Sequence, residues 1–276
     1  MEKPKNRHEA VKYIQADRIS TEDSAGRPET EKVCIIQEAP LMIDVEGIET
    51  YTLLCTPIDK KALVAGFLFS EGVIDGLEDI KTFKECGDDH STIRVRLKRE
   101  IPRIDDPGRN LMIVSSCGLC GSEDLNKRIA ALPEVGNTLT IEAGQLRLVS
   151  VGLREKQELF EMCGGTHAAA IFDKGGEIVS FAEDTGRHNA LDKAVGKCLM
   201  KGIGTAGCGA ALTSRLSLEM VSKCARAGIE LIAAVSAPTS LAIEVADKCN
   251  MTLCAFVRET RATVFTHPAR VIESKN

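Results

Sequence analysis

The hydrophobic and polar positions divide the chain into a patternless start, a strand-rich first half and an alternating second half. Residues 1–32 carry no apolar period and read as a loose, flexible N-terminal arm. From Val33 the pattern becomes strand-like. VCIIQ, LMIDV and IETYTLL are short β-branched runs, with Glu46-Gly47 as a turn between the last two. A helix follows, capped by Asp59, with Leu63 and Phe67 on one face and Gly72 closing it. TIRVRL (92–97) alternates apolar and charged residues, the period of a half-exposed strand. Residues 101–110, with Pro102, Pro107 and Gly108, read as a connection.

In the second half, the strand candidates AAAIF, EIVSFA, GAALTS, IELIAAVS, TLCAFV and ATVFT are separated by helical periods. One helix is predicted near 187–200 (Leu191, Val195, Cys198, Leu199) and another near 216–227 (Leu218, Val221, Ala225). A third is predicted near 240–249 (Leu241, Val245, Cys249), with Thr239 or Ser240 as its cap. Strands alternating with helices predict a layered α/β sheet, and the boundary between the halves falls near residues 117–120. No internal repeat or low-complexity tract is visible.

The composition narrows the function classes. The chain has 276 residues, of which 43% are hydrophobic and 27% charged, an ordinary globular mix. Its net charge of −5 provides no global basic field for nucleic acid. Aromatics at 4%, with no Trp, leave little for base stacking. An anionic ligand must therefore be held by a local basic cluster. The longest apolar stretch, 62–69, is too short to span a bilayer. The start MEKPKNRHEAVKY lacks the apolar core of a secretory signal. Eleven cysteines in such a chain imply a reduced, cytoplasmic protein whose thiols mostly serve as small buried hydrophobes.

The segment Ser115-Ser116-Cys117-Gly118-Leu119-Cys120-Gly121 is the most informative. Two thiols three apart, flanked by glycines that permit tight backbone, precede a predicted helix with Ser122 as cap and Leu125, Ile129 and Leu132 as its stripe; Pro133 ends it. A helix N-terminus favours thiolate, whereas Glu123 and Asp124 oppose it. Four readings stay open: a zinc site completed by Cys163 and His167, a redox dithiol, a structural turn, or a nucleophile that carries sulfur.

Three further segments carry candidate chemistry. Gly202-Ile203-Gly204-Thr205-Ala206-Gly207 matches G-x-G-x-x-G, but it follows a predicted helix and precedes a strand, the reverse of a dinucleotide fingerprint; it reads as a loop. EDTGRHNALDK (183–193) places His188 and Asp192 on one helix face just after a strand, either a solvated polar face or a ligand loop. Phe256-Val257-Arg258-Glu259-Thr260-Arg261, with His267 and Arg270 beyond, is the late basic cluster; it suits phosphate or is a solvated strand end.

From about Val33 onward the chain resembles the FdhD family, the accessory sulfurtransferases of formate dehydrogenase. The resemblance rests on GFLFSEGVI (66–74), SSCGLCG (115–121), GGTHAAA (164–170), EDTGRHNALDK (183–193), TSRLSLEMVSK (213–223), SAPTSLA (236–242) and FVRETR (256–261). The chain departs from the family pattern at Glu259, where Gly is usual, and at Cys163, where a small hydroxyl residue is expected.

The resemblance implies an α/β fold with a cytidine-deaminase-like layered α/β/α C-terminal domain (117–276) and a smaller α+β N-terminal domain (33–116), the CxxC loop lying at the junction. It also implies a homodimer. The implied activity is that of a sulfur carrier. Cys117 takes persulfide sulfur from a cysteine desulfurase, assisted by Cys120, and passes it to the molybdenum (or tungsten) of a bis-pterin guanine dinucleotide cofactor, Mo-bis(molybdopterin guanine dinucleotide), destined for formate dehydrogenase. The implied cofactor contacts are Phe256, Val257, Arg258, Glu259, Thr260 and Arg261, joined by His188 and Asn189. No metal ligand, nucleic acid or membrane partner is implied. Deaminase chemistry is not expected, because His167 is followed by Ala168-Ala169 and Cys117 by no preceding proline, so the H-x-E and P-C-x-x-C parts are missing. The competing readings are a cofactor-insertion chaperone that moves no sulfur and a zinc-binding protein.

Overall fold

The structure is a computed structural model and describes residues 7–21, 28–86, 91–98 and 122–273. The CxxC segment and the connection 101–110 lie outside the described residues. A single helical turn, α1 (Arg7–Ala10), leads into β1 (Val11–Arg18), which pairs antiparallel with β2 (Glu29–Ile36) over the full length of both strands. The expected loose arm is therefore in part a β-ribbon. Its base is held where Ala10 and Val11 pack with Ile36 against Leu159. Both faces of most of the ribbon meet solvent, so it leaves no one-sided hydrophobic period in the sequence.

The next elements are β3 (Ala39–Val45), β4 (Glu49–Cys55), α2 (Lys60–Ser70), β5 (Ile80–Cys86) and β6 (Thr92–Leu97). The strands form a sheet of order β4-β3-β6-β5. Alternate residues Leu41, Ile43 and Val45 of β3 and Ile93, Val95 and Leu97 of β6 turn inward and bury Leu63, Val64, Phe67 and Leu68 of α2. Asp59 does not cap α2 with its side chain; its backbone is left-handed and its carboxylate pairs with Lys197 at 2.6 Å. Gly72 closes the helix at φ +75°, with Val73 N–H donating to Leu68 C=O.

The second half contains α3 (Ser122–Ala130), β7 (Ile141–Glu142), α4 (Ala143–Glu155), α5 (Glu158–Cys163), β8 (His167–Phe172), β9 (Ile178–Asp184), α6 (Arg187–Met200), β10 (Gly209–Leu212), α7 (Leu218–Arg226), β11 (Leu231–Ala234), α8 (Ser240–Lys248), β12 (Thr252–Ala255), β13 (Thr263–Thr266) and β14 (Val271–Ile272). A six-stranded sheet runs β13-β12-β11-β10-β8-β9, with β10, β11 and β12 parallel and the remaining pairs antiparallel. Alternate side chains serve two cores. Ala169, Ile171, Leu212, Ile232 and Leu253 face α6, α7 and α8, whereas Ala168, Ala170, Phe172, Ala233 and Cys254 face α4. The result is the expected layered α/β/α arrangement. Thr239 caps α8 by accepting the Ala242 N–H, as the sequence predicts. The G-x-G-x-x-G segment is indeed a loop from α6 to β10, with Gly202 and Gly207 at positive φ.

The two sheets meet through α2 and α6. Gly66 lies against the backbone of Asp192, and Gly196 against the backbone of Ala62, so the helices touch main chain to main chain. Sandwiched in this way, α2 is buried on every side from Ala62 to Leu68. Among the described residues no helix is long and apolar enough to cross a membrane.

Candidate functional site

The parallel strands β10, β11 and β12 end at the same edge of the six-stranded sheet. The antiparallel pairing brings the start of β8 and the end of β9 to that edge as well, with His167 opposite Asp184. Open α/β sheets place ligands at this edge, where strands stop and the following loops diverge. Here it carries an open cleft of about 1520 Å³, floored by His167, Thr185, Thr213, Val235 and Val257. One wall is the 257–260 loop and the other is formed by α4 and α5, whose Arg147, Ser150, Arg154, Phe160 and Glu161 reach the cleft.

Val257, Arg258, Glu259 and Thr260 line the cleft. Arg258 Nη1 donates to the carbonyl oxygens of Val235 and Val257, and its own N–H donates to Arg261 C=O at 2.7 Å, which folds the loop back on itself. Phe256, Arg261, His188 and Asn189 do not line it. Phe256 has φ +54° and sets its ring 6.3 Å from that of Phe265. Such a conformation is uncommon for a bulky side chain and marks strain next to the cleft.

The segment 183–193 is occupied mainly in joining the two sheets. Asp184 and Lys193 form an ion pair of 2.6 Å with neither side chain exposed. Asp184 also accepts from Thr56 N–H, Gly186 N–H and the Asn189 amide, and that amide donates as well to Leu54 C=O. Asn189 is therefore a structural strut rather than a cleft residue. Asp192 accepts from Ser70 and pairs with Lys223 at 2.9 Å; Lys223 also pairs with Glu71. Burial works against the Lys223 charge, yet Asp192 and Glu71 outweigh it and hold its pKa above the ordinary lysine value. Glu183 accepts from Leu159 N–H, Phe160 N–H and Thr166 Oγ, tying the start of α5 to β9; burial nevertheless pushes its carboxyl up.

The zinc candidates Cys163 and His167 have other partners. Cys163 Sγ donates to Leu159 C=O, and His167 Nδ1 lies 3.4 Å from Thr213 Oγ. Cys117 and Cys120 lie outside the described residues. The nine described cysteines are unpaired and six are buried. Burial pushes the Cys55 and Cys254 thiols up to about 12 and Cys198 to about 11, as inert packing residues should behave.

Residues 36–272 match the FdhD/NarQ family. The chain belongs to that family. It is 37% identical over 239 residues to the sulfur carrier protein FdhD of Bordetella bronchiseptica, covering 86% of this chain and 87% of the relative. It is 35% identical over 264 residues to that of Saccharolobus solfataricus, covering 95% of this chain and 99% of the relative. In fold it is similar to a crystal structure from Desulfotalea psychrophila assigned as a formate dehydrogenase accessory protein, with a TM-score of 0.74 at 23% identity, covering 94% and 99% of the two chains.

Within this FdhD/NarQ chain, the sequence motifs sort into two kinds. GGTH and VRET converge on the cleft, whereas the polar part of 183–193 mostly locks the scaffold behind it. The wall residues Arg147 and Arg154 escaped the sequence reading because α4 was not predicted. Its signal was present in Leu146, Val149 and Leu153 at helical spacing, and in Gln145, whose side chain accepts the Glu142 N–H at the helix start.

His188 gives a pH test of this scaffold. Burial, then Arg187 and Lys223, lower its pKa to about 4, against the pull of Glu219 and Glu71. Above pH ~6.5 the ring is neutral in both folded and unfolded chains. As pH falls from about 6.5 to about 4, the unfolded chain takes up a proton that the folded chain refuses, so stability drops by up to ~3 kcal/mol and levels off below. Urea unfolding of wild type and His188→Asn at pH 7.5, 5.5 and 4.5 should show a difference that narrows as the medium is acidified. A pH-independent difference would remove His188 from this role.

Proposed function

We propose that this chain is a sulfur carrier acting as a sulfurtransferase. It takes persulfide sulfur from a cysteine desulfurase and delivers it to the metal of a bis-pterin guanine dinucleotide cofactor required by formate dehydrogenase. The supporting observation is the cleft. Two segments that carry the family resemblance, 164–167 and 257–260, meet around about 1520 Å³ of open space. Ordinary small-molecule pockets hold roughly 300–1,000 Å³, so the space suits a large cargo. Arg147 and Arg154 line it and carry guanidinium groups of the kind that suit pyrophosphate, set among Glu155, Glu158, Glu161 and Glu259, with Arg258 alongside holding the Val235 and Val257 carbonyls. The name sulfur carrier protein, borne by relatives aligned over most of the chain, points the same way.

In this reading the Cys117 thiolate attacks the outer sulfur of the donor persulfide. The donor S–S bond breaks, an S–S bond forms on Cys117, and the donor cysteine leaves as thiolate. The Cys120 thiolate then attacks the Cys117 sulfur. A Cys117–Cys120 disulfide forms and the outer sulfur departs reduced by two electrons, as sulfide for the metal. A cellular thiol reductant restores the dithiol.

The test is intact mass after incubation with desulfurase and cysteine, together with activation of formate dehydrogenase. Wild type should gain one sulfur atom that reductant removes. Cys117→Ala should lose both that gain and formate dehydrogenase activation while remaining folded. A wild type that never gains sulfur, yet still activates the enzyme, would instead be an insertion chaperone.

A further inference from the structure

The transfer steps above make no use of His167, although it begins β8 on the cleft floor. Its Nδ1 faces Thr213 Oγ at 3.4 Å. That hydroxyl oxygen accepts the Ala168 N–H at 2.9 Å, and Thr213 N–H donates to Ala168 C=O at 3.1 Å. The hydroxyl hydrogen could otherwise reach only Ala168 C=O, already an acceptor, at 3.5 Å. Its better acceptor is Nδ1, which places the ring hydrogen on Nε2. Among the described residues Nε2 has no hydrogen-bond partner, it is not among the buried unpaired atoms, and His167 itself lines the cleft. Burial and the nearby Arg187 lower the His167 pKa against the pull of Asp184, which favours the neutral ring. Arg147, Arg154 and Arg258 line the same cleft, among the carboxylates Glu155, Glu158, Glu161 and Glu259, and supply the cationic partners that an anionic acceptor needs.

We propose that His167 is a ligand-contacting residue whose Nε2–H donates to a phosphate oxygen of a guanine-nucleotide cargo, and that Thr213 is its positioning residue. This deepens the sulfur-carrier reading and rests on it. A neutral imidazole held in one tautomer is a preorganised donor, and the hydrogen bond it makes to a charged oxygen is of the stronger kind.

GDP and inorganic pyrophosphate serve as probes, titrated calorimetrically into the full chain. With His167→Gln, both dissociation constants should rise roughly ten- to a hundredfold, the range for losing a hydrogen bond to a charged group. In ¹⁵N-histidine spectra, wild-type His167 should show the Nε2–H tautomer, and its Nε2 signal should move on adding GDP. Thr213→Val should populate the Nδ1–H form and weaken GDP binding several-fold, and Thr213→Ser should restore both. A histidine with only a packing role would alter thermal stability and leave these readouts unmoved. Unchanged GDP affinity in a folded His167→Gln chain overturns the proposal, as does weakening confined to GDP with pyrophosphate unaffected, which would mean a contact to the base. Should that variant not fold, the Thr213 pair and the tautomer signal decide. A wild type that binds GDP while His167 proves silent leaves the cargo reading standing. A wild type that binds no GDP overturns the cargo reading itself.

Discussion

Gly196→Ala is expected to cost more than ~4 kcal/mol, enough to leave most of the chain unfolded given typical stabilities of about 5–15 kcal/mol. A Cβ at this position would overlap the carbonyl oxygen of Ala62 and sit 2.7 Å from its carbon and 2.9 Å from Gly66 N. All of these are main-chain atoms in the middle of α2, and no rotamer change can relieve the clash. Gly66→Ala meets the same obstacle from the other side, 2.6 Å from the carbonyl carbon of Asp192. The helices would have to separate, opening the core of the small sheet and the α6 core together, because α2 is buried on every side. Gly204→Ala is the control. Nothing lies within 4 Å of its added Cβ, and its effect should stay within about ±0.5 kcal/mol. Thermal unfolding of the three variants checks the argument, and a Gly196→Ala chain melting with wild type would refute the close helix contact.

The same two glycines show what the sequence made legible and what it did not. Leu63 and Phe67 on one side of α2 are a local period, and the sequence predicts that helix and its buried face. That the opposite side is also buried depends on α6, some 130 residues later, and a local pattern carries no such information. The strands of the large sheet were legible because each is short, apolar and flanked by turn residues or helical periods. Of the β1–β2 ribbon only the run from Val33 to Ile36 was legible; along the rest, solvent on both faces erases the alternation on which strand recognition relies. At the site, Val257, Arg258, Glu259 and Thr260 are contiguous with a recognisable strand end and could be read directly. Arg147 and Arg154 arrive from a helix on the far wall, and only the folded sheet brings them to the same cleft. Asn189 shows the converse. A polar residue just after a strand suits a ligand loop equally well, until Leu54 C=O and Asp184 are found to hold its amide.

The other large effect is expected from Lys193→Met, at about 3–5 kcal/mol, because it strands a carboxylate that has no access to water. Lys193 Nζ lies 2.6 Å from Asp184 Oδ2 and donates to Thr56 C=O at 2.8 Å, and both charged side chains are fully buried. Methionine matches the length of the lysine stem, so lost packing contributes little. What remains is an uncompensated charge, while the Thr56 carbonyl keeps the Ile58 N–H at 2.8 Å. Asp184→Asn in the same background removes the charge while keeping an oxygen for the Gly186 N–H at 2.8 Å. The double variant should therefore be more stable than Lys193→Met alone, with a coupling of roughly 1–3 kcal/mol in a double-mutant cycle by urea unfolding. Additive losses would mean that the pair does not interact as its geometry requires. The consequence reaches the site, since Thr56 Oγ accepts the N–H of Thr185 on the cleft floor. Loosening the latch should also weaken the GDP binding proposed above in those molecules that remain folded, because the small sheet then no longer holds the end of β9 in register beneath the cleft.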